Sequence, residues 1–201
     1  MDIDEKLIDA CESGLLQIAK EYLEQGADIH AWDDRALRWA TYKGHLAIVK
    51  YLIKHGANIH ANNDDALCWA ANNGHLKIVK YLVEQGANIH VWNDHALRYA
   101  AKKGHLEIVK YLIERGADIH SDDGEALYWA AREGHLEIVK YLVKQGVNIH
   151  AWNDDALRGA AGRGHLQVAN VLRKAVGDKY KCHRCVIRST CLDLCEDFRK
   201  Y

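Results

Sequence analysis

The sequence predicts an all-α solenoid of stacked helix pairs, and three observations predict it. The tripeptide Gly-His-Leu begins at Gly44, Gly74, Gly104, Gly134 and Gly164, a strict period of 30 residues. Each period carries two apolar stretches at helical spacing, and a helix pair this small cannot bury its apolar face without a stacked neighbour. The end copies are polar where the inner ones are not. Asp9 stands at the place of Trp39, Trp69, Tyr99 and Trp129, and Glu21 at the place of Tyr51. At the other end Gly159 replaces the aromatic and Arg173 the Ile or Val of the second helix, as capping repeats require.

The reading gives an array over residues 1–176, with repeats at about 5–34, 35–64, 65–94, 95–124, 125–154 and 155–176, and a tail over 177–201. The first repeat is degenerate but keeps Leu7, Ala10, Gly14, Leu16, Ile18 and Gly26 in register. In an inner copy, Asp64 is expected to cap the first helix by accepting from backbone N–H groups two or three residues on. Asp34, Asp94 and Asp154 repeat that role, and Gly124 replaces it once. Ala66, Leu67, Trp69 and Ala70 supply the first helix with apolar surface. Gly74 ends it in the left-handed conformation that costs glycine nothing. The second helix runs from about His75 to Glu84 and buries Leu76, Ile78, Val79, Leu82 and Val83. Gly86 ends it, and Ala87 to Asp94 must turn the chain into the next copy.

Composition narrows the function. Across 201 residues, 27 Lys and Arg face 28 Asp and Glu, a formal charge of −1 that argues against a general polyanion binder such as a nucleic-acid protein. No apolar run approaches the ~18 residues of a membrane span. The acidic start MDIDEKLIDA resembles neither a secretory signal nor a transit peptide. A monomeric, intracellular, cytoplasmic protein is expected. The chain has no phosphate-binding glycine loop, no H-E-x-x-H, no G-x-S-x-G and no dinucleotide fingerprint, so it is expected not to be an enzyme. Cys11 and Cys68 fall inside repeat helices and read as small buried apolar residues.

Positions that repeat serve stacking, and positions that differ between copies are free for recognition. The pairs before the turn glycines read Tyr42-Lys43, Asn72-Asn73, Lys102-Lys103, Arg132-Glu133 and Gly162-Arg163. With Arg38, Arg98 and Arg158 they suggest a basic floor. The aspartates of the connecting segments suggest an acidic fringe beside it. Trp32, Trp92 and Trp152 are the aromatic anchors, because tryptophan dominates interface hot spots and a Trp in a variable segment has no obvious stacking duty. The candidate partner-binding set is therefore Trp32, Arg35, Tyr42, Lys43, Asn72, Asn73, Trp92, His95, Lys102, Lys103, Arg132, Trp152 and Arg163. Packing against the adjacent segment is the rival role for the tryptophans, and simple solvation for the charges. Trp39, Trp69, Tyr99 and Trp129 are expected to pack in the core. Two histidine ladders, His45 to His165 and His30 to His150, are expected to be structural. Stacked helices lie ~8–10 Å apart, whereas ligand nitrogens must lie ~2 Å from zinc.

The tail GDKYKCHRCVIRSTCLDLCEDFRKY places Cys182, Cys185, Cys191 and Cys195 as C-x2-C and C-x3-C pairs. Four thiolates suit a tetrahedral zinc ion. Equally, Ile187, Cys191, Leu194, Cys195 and Phe198 form a stripe at helical spacing, and Thr190-x-x-Asp193 fits a capping box for a helix that covers the last repeat. Both readings stay open, with redox chemistry a third.

Gly104-His105-Leu106-Glu107-Ile108-Val109-Lys110, followed by Leu112 through His120, closely resembles the ankyrin repeat. The resemblance covers about residues 5–176. It implies a non-enzymatic scaffold that binds a protein partner along the concave surface of fingers and first helices. It also implies that the first histidine ladder ties turns together, while the second takes the family's Asn position and holds the finger. The alternative is an adaptor whose tail binds zinc and contacts nucleic acid or a second protein. Family repeats usually have ~33 residues and T-P-L-H. The three residues missing here fall in the β-hairpin finger, so short fingers without ladder hydrogen bonds are expected. The 30-residue, proline-free form is similar to the arrays of giant DNA viruses.

Overall fold

A computed structural model describes residues 2–176, and these residues contain twelve helices and no strand. They fall into two compact units that divide between Asp118 and Ile119. The tail 177–201, with its four cysteines, lies outside the described residues.

The first unit contains four helix pairs: α1 (Ile3–Glu12) with α2 (Leu16–Glu24), α3 (Ala31–Lys43) with α4 (Leu46–Lys54), α5 (Ala61–Asn72) with α6 (Leu76–Glu84), and α7 (Val91–Lys103) with α8 (Leu106–Glu114). First helices pack side by side in the order α1, α3, α5, α7, and second helices in the order α2, α4, α6, α8. Leu37, Ile48 and Leu52 are fully buried, and Leu67, Ile78, Leu82, Leu97, Ile108 and Leu112 repeat them 30 residues apart. Burying each such side chain is worth roughly 1.5–3 kcal/mol. On the second helices, Lys20 lies over Tyr51, Lys50 over Tyr81 and Lys80 over Tyr111, each 5.3–5.5 Å from the ring centroid. These cation–π contacts join successive repeats on that side. The second unit holds α9 (Ser121–Arg132), α10 (Leu136–Lys144), α11 (Ala151–Gly162) and α12 (Leu166–Val176), with α9 against α11 and α10 against α12.

Where a 33-residue repeat has room for a hairpin, this chain makes a left-handed turn. Trp32, Asp33 and Asp34 have φ of 52°, 55° and 53°, and residues 62–64, 92–94, 122–124 and 152–154 do the same. Left-handed backbone costs an ordinary L-residue roughly 1–2 kcal/mol, and least for Asn, Asp and Gly. Apart from the three tryptophans, every one of these positions is Asn, Asp or Gly. Each turn is closed by an i→i−4 backbone bond, such as Asp34 N to His30 O at 3.2 Å.

The third residue of that turn corrects the capping expectation. Asp64 does not cap the helix that follows it. Its carboxylate accepts the Asn88 backbone N–H of the next repeat at 2.9 Å and faces His60 Nδ1 at 3.0 Å. Asp34 holds Asn58 N at 2.7 Å, Asp94 holds Asp118 N at 3.2 Å, and Asp4 holds Asp28 N at 2.7 Å. Asp34, Asp64 and Asp94 are only 3–4% exposed, so they belong to no acidic fringe. They staple repeat to repeat. In the inner repeats the staple follows a left-handed turn, whereas Asp4 makes the same bond from the first turn of α1.

The first histidine ladder makes a second set of ties. His45 Nε2 meets Glu12 O at 2.9 Å, His75 meets Tyr42 O at 3.0 Å and His105 meets Asn72 O at 3.1 Å. Each ring lies on the turn glycine of the preceding repeat, and a Cβ on Gly44 would stand 2.6 Å from His75. That glycine is required twice, for its φ of 87° and for the approach of the ring.

Candidate functional site

The first unit carries an open groove of about 450 Å³ between α3 and α5, lined by Trp32, Arg35, Arg38, Trp39, Tyr42, Asp65 and Trp69. Helical spacing assembles it. Arg35, Trp39 and Tyr42 share one face of α3, and Asp65 and Trp69 occupy the matching face of α5. Tyr42 stands edge-on between Trp39 and Trp69, with ring centroids 5.5 and 5.4 Å away. This aromatic row is half-buried, which corrects the expectation that Trp39 and Trp69 lie in the core. Trp32 adds an indole that is 49% exposed.

The charges around the row are ordered. The Arg35 guanidinium lies 5.3 Å over the Trp32 ring and 6.0 Å from that of Trp39. Arg38 donates to Asp65 at 3.2 Å, to Trp32 O at 3.1 Å and to Asp33 O at 3.1 Å. It therefore ties down the left-handed turn that presents Trp32. Arg98 donates to Trp92 O at 2.7 Å and Arg158 to Trp152 O at 3.4 Å in the same manner. The copies without a turn tryptophan carry Cys68 and Tyr128 at that position. The arginines expected in a basic floor thus serve first to hold the turns. Lys43 faces Trp39 and Tyr42 and pairs with Glu12 at 3.1 Å.

The stacked helix pairs that carry this groove have a counterpart among known families. The model for ankyrin repeats matches three overlapping stretches, residues 7–93, 62–123 and 97–183. The chain belongs to the ankyrin-repeat family. No curated protein matches it. Ankyrin repeats mediate protein–protein interaction and are typically non-enzymatic scaffolds. No described helix is long and apolar enough to cross a membrane.

Of the sequence-predicted residues, this ankyrin chain gathers Trp32, Arg35 and Tyr42 into the groove, with Lys43 at its edge. Asn73 donates to Trp69 O at 2.9 Å, and the Asn72 carbonyl is taken by His105. Trp92 is 61% exposed at the tip of its turn, and His95 stacks on Tyr99 at 4.1 Å. Lys103 is exposed and Lys102 half-buried at the end of α7. In the second unit Trp152 donates its indole N–H to Asp123 at 3.0 Å and leans on Tyr128, so it packs against the preceding turn. Arg132 lies over Trp129 and donates to the Tyr128 hydroxyl, and Arg163 pairs with Glu133 at 2.7 Å. The sequence reading placed Arg38 on the basic floor but left Trp39, Asp65 and Trp69 out of the binding set. The available signal was the i, i+3 spacing of Trp39 and Tyr42, which puts both on one helical face.

Proposed function

We propose that the chain is a protein-interaction module whose partner docks on the surface formed by the left-handed turns and first helices, centred on the groove between α3 and α5. The observation that carries this is the concentration of three tryptophans, one tyrosine and two arginines in one open groove, residue types that dominate interface hot spots. Tyr42 and Trp69 are the central anchors, and Trp92 is a separate exposed contact on the same unit. The groove side chains are held by each other and by the turns, so little ordering entropy is lost on docking.

The test is copurification of tagged full-length protein from cells, comparing Tyr42→Ala/Trp69→Ala with Lys77→Ala/Glu107→Ala, which lie on exposed positions of second helices. Loss of a specific partner in the first variant only, with native helicity retained, supports the proposal. Equal capture by both variants would place binding elsewhere.

A further inference from the structure

The indole N–H groups of Trp32, Trp39 and Trp69 have no acceptor among the described residues. The same positions in the second unit are satisfied from within by carboxylates. Trp129, at the register of Trp39 and Trp69, donates to Glu125 Oε1 at 2.9 Å. Trp152, at the register of Trp32, donates to Asp123 Oδ2 at 3.0 Å. For Trp32 and Trp39 the groove has neither carboxylate. Ile3 stands where Asp123 would be for Trp32, and Arg35 stands where Glu125 would be for Trp39. Asp65 holds that place for Trp69, but its Oδ2 accepts from Arg38 at 3.2 Å and Asn62 at 3.1 Å, and it makes no bond to the indole.

The charge left to a ligand is that of Arg35. Arg38 is paired with Asp65 and Lys43 with Glu12, whereas Arg35 is exposed and has no carboxylate within ion-pair distance among the described residues. Its contacts are the two indole rings, which hold the guanidinium while leaving its donor edge open to a bidentate acceptor.

We propose that this groove binds an acidic peptide segment of the partner, with a Glu or Asp carboxylate on Arg35 and an indole N–H, and the adjacent apolar side chain against Trp39, Tyr42 and Trp69. The proposal rests on the protein-interaction reading above and names the chemistry of its partner. The second unit already shows the recognition within its own chain, indole N–H to carboxylate, and the groove presents indole donors that no carboxylate of the described residues takes.

The experiment is selection of a random linear peptide library on the full-length protein, followed by titration of the strongest peptide as a synthetic sequence. The expected pool pairs Asp or Glu with a neighbouring aromatic or aliphatic residue. Exchanging that acid for its amide, or Arg35→Gln in the protein, should weaken binding about tenfold or more, as loss of a charge-assisted contact does. Arg35→Lys keeps the charge but not the fork and should fall between. A pool that needs Tyr42 and Trp69 but shows no acidic bias would overturn the carboxylate and leave the interaction surface standing. An acidic pool indifferent to Arg35→Gln would overturn the assigned site. Failure to select any peptide would overturn recognition of a linear segment, while whole-partner copurification would still judge the broader reading.

Discussion

The staple between repeats makes its sharpest prediction where it is missing. Asp4, Asp34, Asp64 and Asp94 each reach the next repeat's backbone, and the residue before the amide they hold is Ala27, Ala57, Ala87 and Ala117 respectively. At the one exception, Gly124, the facing residue is Val147, whose Cγ2 would lie 3.3 Å from a Cβ added to the glycine. The valine thus occupies space the aspartate would need. Val147→Ala alone deletes two buried methyl groups and should cost about 1–2 kcal/mol. Gly124→Asp alone forces a carboxylate against the valine and gives up a glycine at φ 78°, for another 1–3 kcal/mol or so. Combined, they recreate the Asp–Ala pair of the other junctions and regain a charge-assisted bond to the Asn148 amide, worth roughly 1.5–3 kcal/mol. The double variant should therefore lie within about 1 kcal/mol of the parent, a coupling of some 2–3 kcal/mol. Urea unfolding of the four proteins measures this, with slopes compared so that midpoint shifts report stability. Additivity within about 0.5 kcal/mol would refute the staple as an energetic unit.

Other consequences are simpler. Asp64→Ala removes a buried acceptor from the Asn88 amide and His60 and places alanine in a left-handed turn, so unfolding should ease by about 2–4 kcal/mol, whereas loss of a mere helix cap would cost about 1. Thr41 is fully buried with an unbonded hydroxyl where three later copies have buried alanine, so Thr41→Ala should leave the melting temperature unchanged or raise it. Burial pushes the Cys11 and Cys68 thiols up to about 12. They should resist alkylation near pH 8 until the chain unfolds. The folded state keeps protons that the unfolded thiols release, so their contribution is complete below about pH 8.5 and falls toward pH 12. The slope is roughly 1.4 kcal/mol per pH unit per thiol, measurable by urea titration at stepped pH. Trp92→Ala should barely change melting, while Trp152→Ala should lower it by a few degrees through loss of its contacts to Asp123 and Tyr128.

The helices, their glycine ends and the lack of strands among the described residues were legible because each is set by residues a few positions apart. His75 to Glu84 reads as a helix from its apolar stripe, and the structure begins it at Leu76. The duty of Asp64 was not legible. An aspartate before Ala-Leu fits a helix cap equally well, and its real partner lies 24 residues away. Trp39 and Trp69 were misread for the opposite reason. Their strict repetition suggested core, but repetition also builds a continuous face, and half-burial separates the two only in three dimensions. Two signals were present in the copies themselves: tryptophan at the turn accompanies arginine six residues on, and the single Gly124 accompanies the single Val147. Both are contacts visible as covariation within one chain.

The most direct test of the interaction surface is a site-specific photo-cross-linker, placed at Lys43 on the groove's edge in one protein and at Lys77 in another, activated in cells. The groove reading predicts a discrete cross-linked partner from position 43, abolished by Trp69→Ala, and none from position 77. Cross-links from position 77, or none from position 43, would contradict it.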